Sequence, residues 1–243
     1  MLLLRSLLFQ VYFFATVSVF SVLIAMSFWL PFSFRFAVAR TWARGMLFAG
    51  RWLCGLRYQF EGLENIPEEP CVVLIKHSTV FEVYAQAVAF PAHTWVLKRE
   101  LLWVPFFGWG LAAMKPIAID RQSGHSAVTQ VIEQGKQRLA EGIWVVVYPE
   151  GTRMVPGKTR KYGVSGAALA RAAGVKILPV AQNAADLWPR RGLTKRPGLI
   201  RFVVGPPIDA SAQSPKETNV LAQDWIEAKM AEISPAAYAD RHE

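Results

Sequence analysis

The sequence predicts an α/β domain with a central, largely parallel sheet flanked by helices, and an N-terminal membrane-associated helical segment. From about Arg57 onward, short apolar runs alternate with helical stretches, an order typical of strands joined by crossover helices. The runs CVVLI (71–75) and IWVVVY (143–148) are continuously apolar, as expected of strands covered on both faces. No residue between Ser6 and Phe34 is charged. We therefore expect membrane-anchoring helices over 1–56 and the α/β domain over 57–243.

The uncharged N-terminal run is bounded by Arg5 and Arg35. A helix across the hydrocarbon core needs about 20 apolar residues, so Leu7–Leu30 is long enough to span a bilayer or to lie deep in one leaflet. A buried helix of a soluble core is the alternative, but such helices are rarely this long and uncharged. The run exceeds the apolar core of a signal peptide and no small-x-small cleavage site follows it, so we expect it to be retained.

The next segment, Phe36 to Leu56, has an amphipathic pattern with an arginine stripe. At 100° per residue, Arg40, Arg44 and Arg51 fall within about 40° of one another. Two interpretations are open: a helix in the headgroup layer with its arginines on lipid phosphates, or a helix packed on the α/β domain with a solvated basic face. We expect Pro31 to separate it from the first helix.

Charge and composition limit the partners. The chain is 53% hydrophobic with a net charge of +9, which suggests nucleic acid or an anionic membrane surface. The uncharged run favours the membrane, and no nucleic-acid-binding motif is present. The positive-inside rule then places the α/β domain on the cytoplasmic side of the inner membrane. The two cysteines form neither a metal-binding pattern nor a disulfide framework, which agrees with a reducing compartment.

The elements of the α/β domain follow from the apolar runs and their flanking residues. The predicted strands are Arg57–Phe60, Cys71–Lys76, Thr94–Leu97, Pro116–Asp120, Ile143–Tyr148, Ile177–Ala181 and Leu199–Val204. The predicted helices are Val80–Phe90, Gly124–Ala140, Val164–Ala173 and Ser214–Glu232. Gly174 occupies the position at which a glycine ends the third of these helices.

The stretch KHSTVFE (76–82) follows a buried strand, where the active sites of open α/β sheets gather. In a continuous helix, the side chains of His77 and Glu82 would point about 140° apart. They meet if His77 lies in the loop and Glu82 in the first turn of the next helix. The carboxylate then fixes the imidazole tautomer and leaves the other nitrogen as a general base. The alternative is two ordinary loop residues, and Ser78 is better explained as a turn residue than as a nucleophile.

A second cluster, YPEGTR (148–153), directly follows the strand IWVVV. Proline ends the strand, glycine permits a tight turn, and Thr152, Arg153 and backbone N–H groups can face an anion. Arginine suits bidentate contact with phosphate, although an ordinary turn with a solvated arginine is the alternative. Lys98 and Arg121 come at the ends of two further predicted strands, so cations recur at separate strand ends.

Four blocks resemble, in the same order, those of the glycerolipid acyltransferases, in particular the bacterial lysophosphatidic acid acyltransferases. KHSTVFE is similar to their His-x4-acid block, and KRELLWVPFFGWGLAAMKPIAIDR (98–121) to their Lys-x-Glu-Leu…Pro…Gly…Ile-Asp-Arg block. YPEGTR is similar to Phe-Pro-Glu-Gly-Thr-Arg, and ILPVAQN (177–183) to the last block, an apolar strand containing proline. Three positions depart from the family pattern: Glu82 stands for the usual aspartate, Lys76 for a frequent asparagine, and Tyr148 for the common phenylalanine.

The resemblance implies a role for each site residue. His77 would remove the proton from a free hydroxyl, whose oxygen attacks an acyl thioester of acyl carrier protein or coenzyme A. Glu82 would orient His77 and stabilise the imidazolium. The implied glycerol phosphate contacts are Glu150, Gly151, Thr152, Arg153, Arg121 and Lys98. The resemblance implies no metal, no cofactor and no covalent acyl-enzyme, and the other histidines are interpreted as ordinary residues.

The resemblance thus implies an enzyme, a 1-acylglycerol-3-phosphate O-acyltransferase that converts lysophosphatidate to phosphatidate in phospholipid biosynthesis at a membrane. A close alternative is an acyltransferase for another lyso-lipid, either a lyso-aminolipid or a lysophospholipid. An alternative from a different class is a non-catalytic membrane protein that binds anionic lipid through its arginines. In that protein His77 would be dispensable.

Overall fold

The computed structural model describes residues 1–120, 125–190 and 192–239. Its strands are β1 (Leu56–Glu61), β2 (Val72–Ile75), β3 (His93–Lys98), β4 (Ile117–Ile119), β5 (Trp144–Val147), β6 (Lys176–Gln182), β7 (Gly198–Val204) and β8 (Ile208–Asp209). Its helices are α1 (Leu2–Met26), α2 (Phe32–Cys54), α3 (Phe81–Ala89), α4 (Phe107–Ala113), α5 (His125–Ala140), α6 (Ser165–Ala173), α7 (Ala184–Leu187), α8 (Pro215–Ile233) and α9 (Pro235–Tyr238). The strands and helices predicted for the α/β domain are present, with ends shifted by single residues. Gly174 ends α6 at φ 67°, as expected.

The sheet is largely parallel, as predicted. Its strand order is β1-β7-β6-β2-β5-β3-β4, with β8 paired to β6. Strands β6, β2, β5, β3 and β4 run in one direction, whereas β7 and β8 pair antiparallel to β6. The carboxyl ends of β2, β5, β3 and β4 therefore lie along one edge of the sheet, where open α/β sheets bind their ligands.

Both faces of the sheet are covered, which explains the continuously apolar strands. In β2, Val73 and Ile75 join the apolar cluster on one face, and Val72 and Leu74 join the cluster on the other. The first face carries α2 and α3, and the second carries α5, α6 and α8. Successive side chains of a strand point to opposite faces, so every position of a doubly covered strand must be apolar.

The two N-terminal helices form a hairpin that packs on the domain. Pro31 immediately precedes α2, at the separation that the sequence predicts. On α1, Phe9 is buried and its ring meets Trp188 edge to face with centroids 5.3 Å apart. Much of the remaining surface of α1 is exposed and apolar. Among the described residues, Leu2–Met26 is the helix long and apolar enough, by length and composition, to cross a membrane.

Helix α2 packs on the domain through one side, which buries Ala43, Met46 and Leu47 in the core. Arg40 does not project with the exposed arginines. Its guanidinium donates to the carbonyl oxygens of Ala87 at 2.9 Å and Phe90 at 2.7 Å, at the carboxyl end of α3. The expected lipid-facing stripe is thus wrong for this residue, because α3 leaves carbonyl groups unpaired at its end and a nearby cation satisfies them. Arg44 and Arg51 remain exposed.

Helices α4, α7 and α9 and strand β8 are absent from the predicted elements. Two glycines, Gly108 and Gly110, weaken the helical pattern of α4. A Cβ atom at Gly110 would lie 2.6 Å from Cα of Ser21, so the glycine permits α4 to pack closely against α1. Strand β8 contains two residues, which is too short to give a recognisable alternation.

Candidate active site

The predicted histidine and glutamate meet at the carboxyl end of β2. His77 lies in the loop that follows this strand, and Glu82 lies in the first turn of α3. Nδ1 of His77 is 2.7 Å from Oε1 of Glu82. The glutamate is fully buried, whereas the histidine side chain retains 19% exposure. The buried carboxylate of Glu82 therefore holds an imidazole ring that is partly open to solvent.

The carboxylate of Glu82 is held by several donors from its own turn and from β6. Oε1 accepts from the backbone N–H of Ser78 at 2.9 Å, and Oε2 accepts from the N–H of Thr79 at 3.0 Å and from its hydroxyl at 2.9 Å. The amide of Gln182 donates to Oε2 at 3.3 Å. These hydrogen bonds hold the carboxylate in place. With Oε1 accepting from Nδ1–H, the assigned tautomer of His77 keeps a basic lone pair on Nε2.

Tyr148 forms the wall behind the imidazole. Its ring stacks on that of His77 with centroids 4.1 Å apart and planes 23° apart. Its hydroxyl accepts a hydrogen bond from Nε2 of Gln86 at 3.0 Å. Burial raises the pKa of the Tyr148 hydroxyl well above its ordinary value, so the phenol stays neutral and serves as a hydrogen-bonded wall. Sequence reasoning placed Tyr148 in the second cluster but did not foresee this contact.

Glu150 occupies a different place from the one expected. It is buried, and its Oε2 accepts a hydrogen bond from the backbone N–H of His77 at 2.9 Å. Its Oε1 is 2.9 Å from Nζ of Lys76. Burial raises the pKa of Glu150, and the charge of Lys76 partly opposes that effect. A carboxylate in this position braces the histidine loop, and because it is buried it offers little surface to a substrate.

Lys76 connects Glu150 to helix α8. Its buried ammonium also lies 2.6 Å from Oε1 of Glu227 on α8 and donates to the carbonyl oxygen of Lys158 at 3.0 Å. The hydroxyls of Tyr162 and Tyr238 lie 3.3 and 3.1 Å from the Glu227 carboxylate. Sequence reasoning missed Glu227, because its contact with Lys76 spans 151 positions of the chain and no local pattern announces it.

The turn after β5 brings the remaining predicted residues of YPEGTR beside His77. Gly151 has φ 67° and donates its N–H to the carbonyl oxygen of Tyr148 at 2.9 Å, a conformation that favours glycine. The N–H of Met154 donates to the carbonyl oxygen of His77 at 2.7 Å, which ties the two turns together. Arg153 is exposed and Thr152 is half-buried. The turn that carries Thr152 and Arg153 is thus joined to the loop of His77.

The other predicted cations come from neighbouring strands. Lys98 is the last residue of β3 and is exposed. The next residue, Arg99, lies 3.6 Å from the carboxylate of Asp120, which follows β4. Arg121 lies outside the described residues. Because β3 is parallel to β5, Lys98 lies at the same edge of the sheet as His77 and the turn after β5.

Comparison with known proteins agrees with this geometry. Residues 57–183 match the family model described as Acyltransferase. The chain belongs to the acyltransferase family. It is 46% identical over 210 residues to a 1-acyl-sn-glycerol-3-phosphate acyltransferase of Pseudomonas aeruginosa, covering 85% of this chain and 82% of the relative. It is 27% identical over 182 residues to 1-acyl-sn-glycerol-3-phosphate acyltransferase alpha of Homo sapiens, covering 74% of this chain and 64% of the relative.

A solved structure shows the same fold. The crystal structure of the 1-acyl-sn-glycerophosphate (LPA) acyltransferase from Thermotoga maritima matches with a TM-score of 0.76 at 21% identity, over 95% of each chain. The match extends beyond the family region, which begins after α2 and ends before α8. An acyltransferase of this fold therefore includes the N-terminal helix hairpin and the helix that carries Glu227.

Proposed function

We propose that this acyltransferase moves an acyl group from an acyl thioester to the free hydroxyl of 1-acyl-sn-glycerol 3-phosphate and so forms phosphatidate. The observation that carries the proposal is the His77–Glu82 pair, joined at 2.7 Å, which lies beside the turn that presents Thr152 and Arg153. The names of the relatives from Pseudomonas aeruginosa and Homo sapiens support this substrate. A general base beside an anion-binding turn is what a phosphate-bearing alcohol needs.

In the proposed reaction, Nε2 of His77 accepts the proton of the acceptor hydroxyl as its oxygen attacks the thioester carbonyl carbon. The Glu82 carboxylate stabilises the imidazolium that forms. When the tetrahedral intermediate collapses, the new ester C–O bond is complete and the C–S bond breaks. The leaving thiolate then takes the proton from His77. The bound hydroxyl attacks directly, so the reaction requires neither an acyl-enzyme nor a cofactor.

Substrate contacts follow from the cations around the histidine. Arg153, Thr152 and Lys98 would bind the phosphate of the acceptor, with Arg121 as a further contact. Gly151 would permit the tight turn that points backbone N–H groups toward the phosphate. Glu150 and Lys76 would not contact the substrate and would instead hold the loop of His77 in position. The donor would be the thioester of acyl carrier protein or of coenzyme A.

The N-terminal helices would hold the enzyme on the cytoplasmic side of the inner membrane. Helix α1 touches the domain along its length, from Ser6, whose hydroxyl accepts from the N–H of Lys195 at 2.9 Å, to Ser21 beside Gly110. A helix flanked by its own domain at both ends fits best with its exposed apolar side immersed in one leaflet. In that position the active site would face lipid substrates that diffuse within the same leaflet.

The decisive experiment is acyl transfer to lysophosphatidate from acyl-carrier-protein and coenzyme A thioesters, with wild type and His77→Ala side by side. We expect phosphatidate from the wild type and a loss of about 100- to 10,000-fold in the variant. Folded wild type that forms no phosphatidate would overturn the proposed acceptor, and parallel assays with other lyso-lipids would then identify a different one. Equal rates in both proteins would overturn the role of His77.

A further inference from the structure

A cluster of exposed apolar side chains lies outside the active site, on the segment between β3 and β4. We call it the aromatic ridge, and its members are Leu101, Trp103, Val104, Phe106 and Trp109. Trp103 is 68% exposed, Phe106 48% and Trp109 56%. Exposed apolar side chains that stand singly are ordinary, but a contiguous cluster of this size marks an interaction surface.

The backbone of the ridge is built to present these side chains. Phe106 has φ 61° and ψ −60°, a conformation that is unfavourable for a bulky residue. Gly108 packs tightly against the preceding turn, and a Cβ atom there would lie 2.2 Å from the carbonyl oxygen of Leu102. The fold thus holds a strained aromatic residue half in solvent, where burial within the domain does not offset the strain. A partner that covers the ridge would supply that compensation.

The ridge is attached directly to the N-terminal helix hairpin. Gly110 of α4 packs against the backbone of Ser21 on α1, and the guanidinium of Arg35 on α2 donates to the carbonyl oxygen of Ala113 at the end of α4. Leu23 and Met26, further along α1, are exposed and apolar. Helices α1, α2 and α4 therefore pack together as one unit, so the ridge is held at a fixed place beside the hairpin.

From this attachment to the hairpin we infer that the aromatic ridge is a second membrane-insertion site, which enters the same leaflet of a phospholipid bilayer as α1. The inference rests on the proposed membrane association of α1. A bilayer fits the ridge because tryptophan side chains prefer the boundary between headgroups and acyl chains. Lys98 and Arg99 adjoin the ridge in the chain and are exposed, and exposed cations beside an inserted segment are attracted to anionic lipid phosphates. Two contacts would fix the orientation of the domain, so that Lys98 and His77 face the headgroup layer.

The test measures the depth of single probes in the full-length protein. Cysteine substitutions Trp103→Cys and Trp109→Cys are labelled with an environment-sensitive fluorophore, in a background whose two native cysteines, Cys54 and Cys71, are buried.

Trp29→Cys, in the exposed turn between α1 and α2, reports on the hairpin. Leu221→Cys on α8 is the matched control, since Leu221 is an apolar residue with 44% exposure. The vesicles contain phosphatidylethanolamine, phosphatidylglycerol and a nitroxide-labelled lipid.

We expect fluorescence at positions 103 and 109 to rise several-fold on vesicle binding and to be quenched by nitroxide near the headgroups, while position 221 does not respond. A response at position 29 without one at 103 and 109 would overturn the inference and leave the hairpin anchor standing. If position 29 also fails to respond, both the anchor and the ridge insertion are wrong. Acyl transfer measured in detergent is independent of these signals, so failure of the proposed reaction would be recognised separately.

Discussion

Nδ1 of His77 lies 2.7 Å from Oε1 of Glu82. The other carboxylate oxygen, Oε2, accepts two hydrogen bonds from Thr79, one from its N–H at 3.0 Å and one from its hydroxyl at 2.9 Å. The glutamate therefore spans from its helix to the imidazole while its far oxygen stays fixed. Its length matches this gap, so a glutamate can fill the acidic position of the His-x4-acid pattern that the sequence resembles. The arrangement selects one tautomer and one orientation of the imidazole.

Two substitutions of Glu82 test the charge and the length of its side chain separately. Glu82→Gln removes the charge that stabilises the imidazolium, and we expect kcat to fall about 1,000-fold. Glu82→Asp keeps the charge but cannot contact both His77 and Thr79 at these distances, and we expect a loss of about ten-fold. Steady-state kinetics at saturating substrates provide the measurement. A Glu82→Gln variant as active as wild type would show that the charge does not matter, whereas equal losses in the two variants would show that the length of the side chain matters as much as its charge.

The stacked ring of Tyr148 can be tested independently of its hydroxyl. Tyr148→Phe keeps the ring on His77 but leaves the buried amide of Gln86 without its acceptor, so we expect kcat within about three-fold of wild type and a loss of about 1–3 kcal/mol in unfolding free energy. Tyr148→Leu also removes the stacking face, and we expect kcat to fall about ten-fold further. A leucine variant as active as the phenylalanine variant would argue against positioning by stacking.

Arg153 provides the test of phosphate recognition. Arg153→Gln removes a charged donor, and we expect KM for lysophosphatidate to rise about 10- to 100-fold with little change in kcat, because a hydrogen bond to a charged group contributes about 1.5–3 kcal/mol. Arg160→Gln is the control, since Arg160 is also exposed but is not part of the YPEGTR turn. Similar effects of both changes would indicate general attraction to the anionic substrate and no specific contact.

The parts of the fold that sequence predicted are those set by local pattern. The strands β2 and β5 are continuously apolar because both faces are buried, and that signal is complete within each run. The contact between His77 and Glu82 could also be predicted from local sequence, because a loop residue and the first turn of the following helix are close in space. These predictions depend on residues that are neighbours in the chain.

The parts that sequence did not predict depend on distant neighbours. Arg40 looked like part of a lipid-facing stripe, but α3 supplies carbonyl acceptors that no periodicity of α2 can reveal. Glu150 belonged to a motif that suggested anion binding, yet Lys76 and the N–H of His77 occupy its oxygens. The same holds for Glu227, which reaches the site from α8. Tertiary packing decided all three.

The buried ion cluster behind His77 makes a prediction about stability. Lys76→Met leaves the carboxylates of Glu150 and Glu227 without their cation, and we expect a loss of about 3–5 kcal/mol in unfolding free energy. Glu227→Gln in the same protein removes one of the stranded charges and should restore part of it. Denaturant unfolding in detergent of the single and double variants gives the coupling energy. Strict additivity of the two changes would contradict a shared cluster.

The edge strand β1 is held by an ion pair whose pH dependence can be predicted. Nε and a terminal nitrogen of Arg201 on β7 each lie 2.6 Å from an oxygen of Glu61. The hydrogen bonds from Arg201 outweigh desolvation and lower the pKa of Glu61 from its ordinary value of 4.5. A lowered folded-state pKa means that the stabilisation is complete above pH 4.5 and is lost as the pH falls below it.

Glu61→Gln should therefore lower the unfolding free energy by about 1 kcal/mol at neutral pH, and the difference from wild type should shrink as the pH falls from 5 toward 3. Thermal unfolding in detergent at several pH values provides the measurement. Glu68→Gln is the control, because Glu68 is an exposed carboxylate of the loop between β1 and β2 and should change stability little at any pH. A destabilisation by Glu61→Gln that stays constant down to pH 3 would mean that the amide disturbs packing, and that the charge of Glu61 contributes little to holding β1.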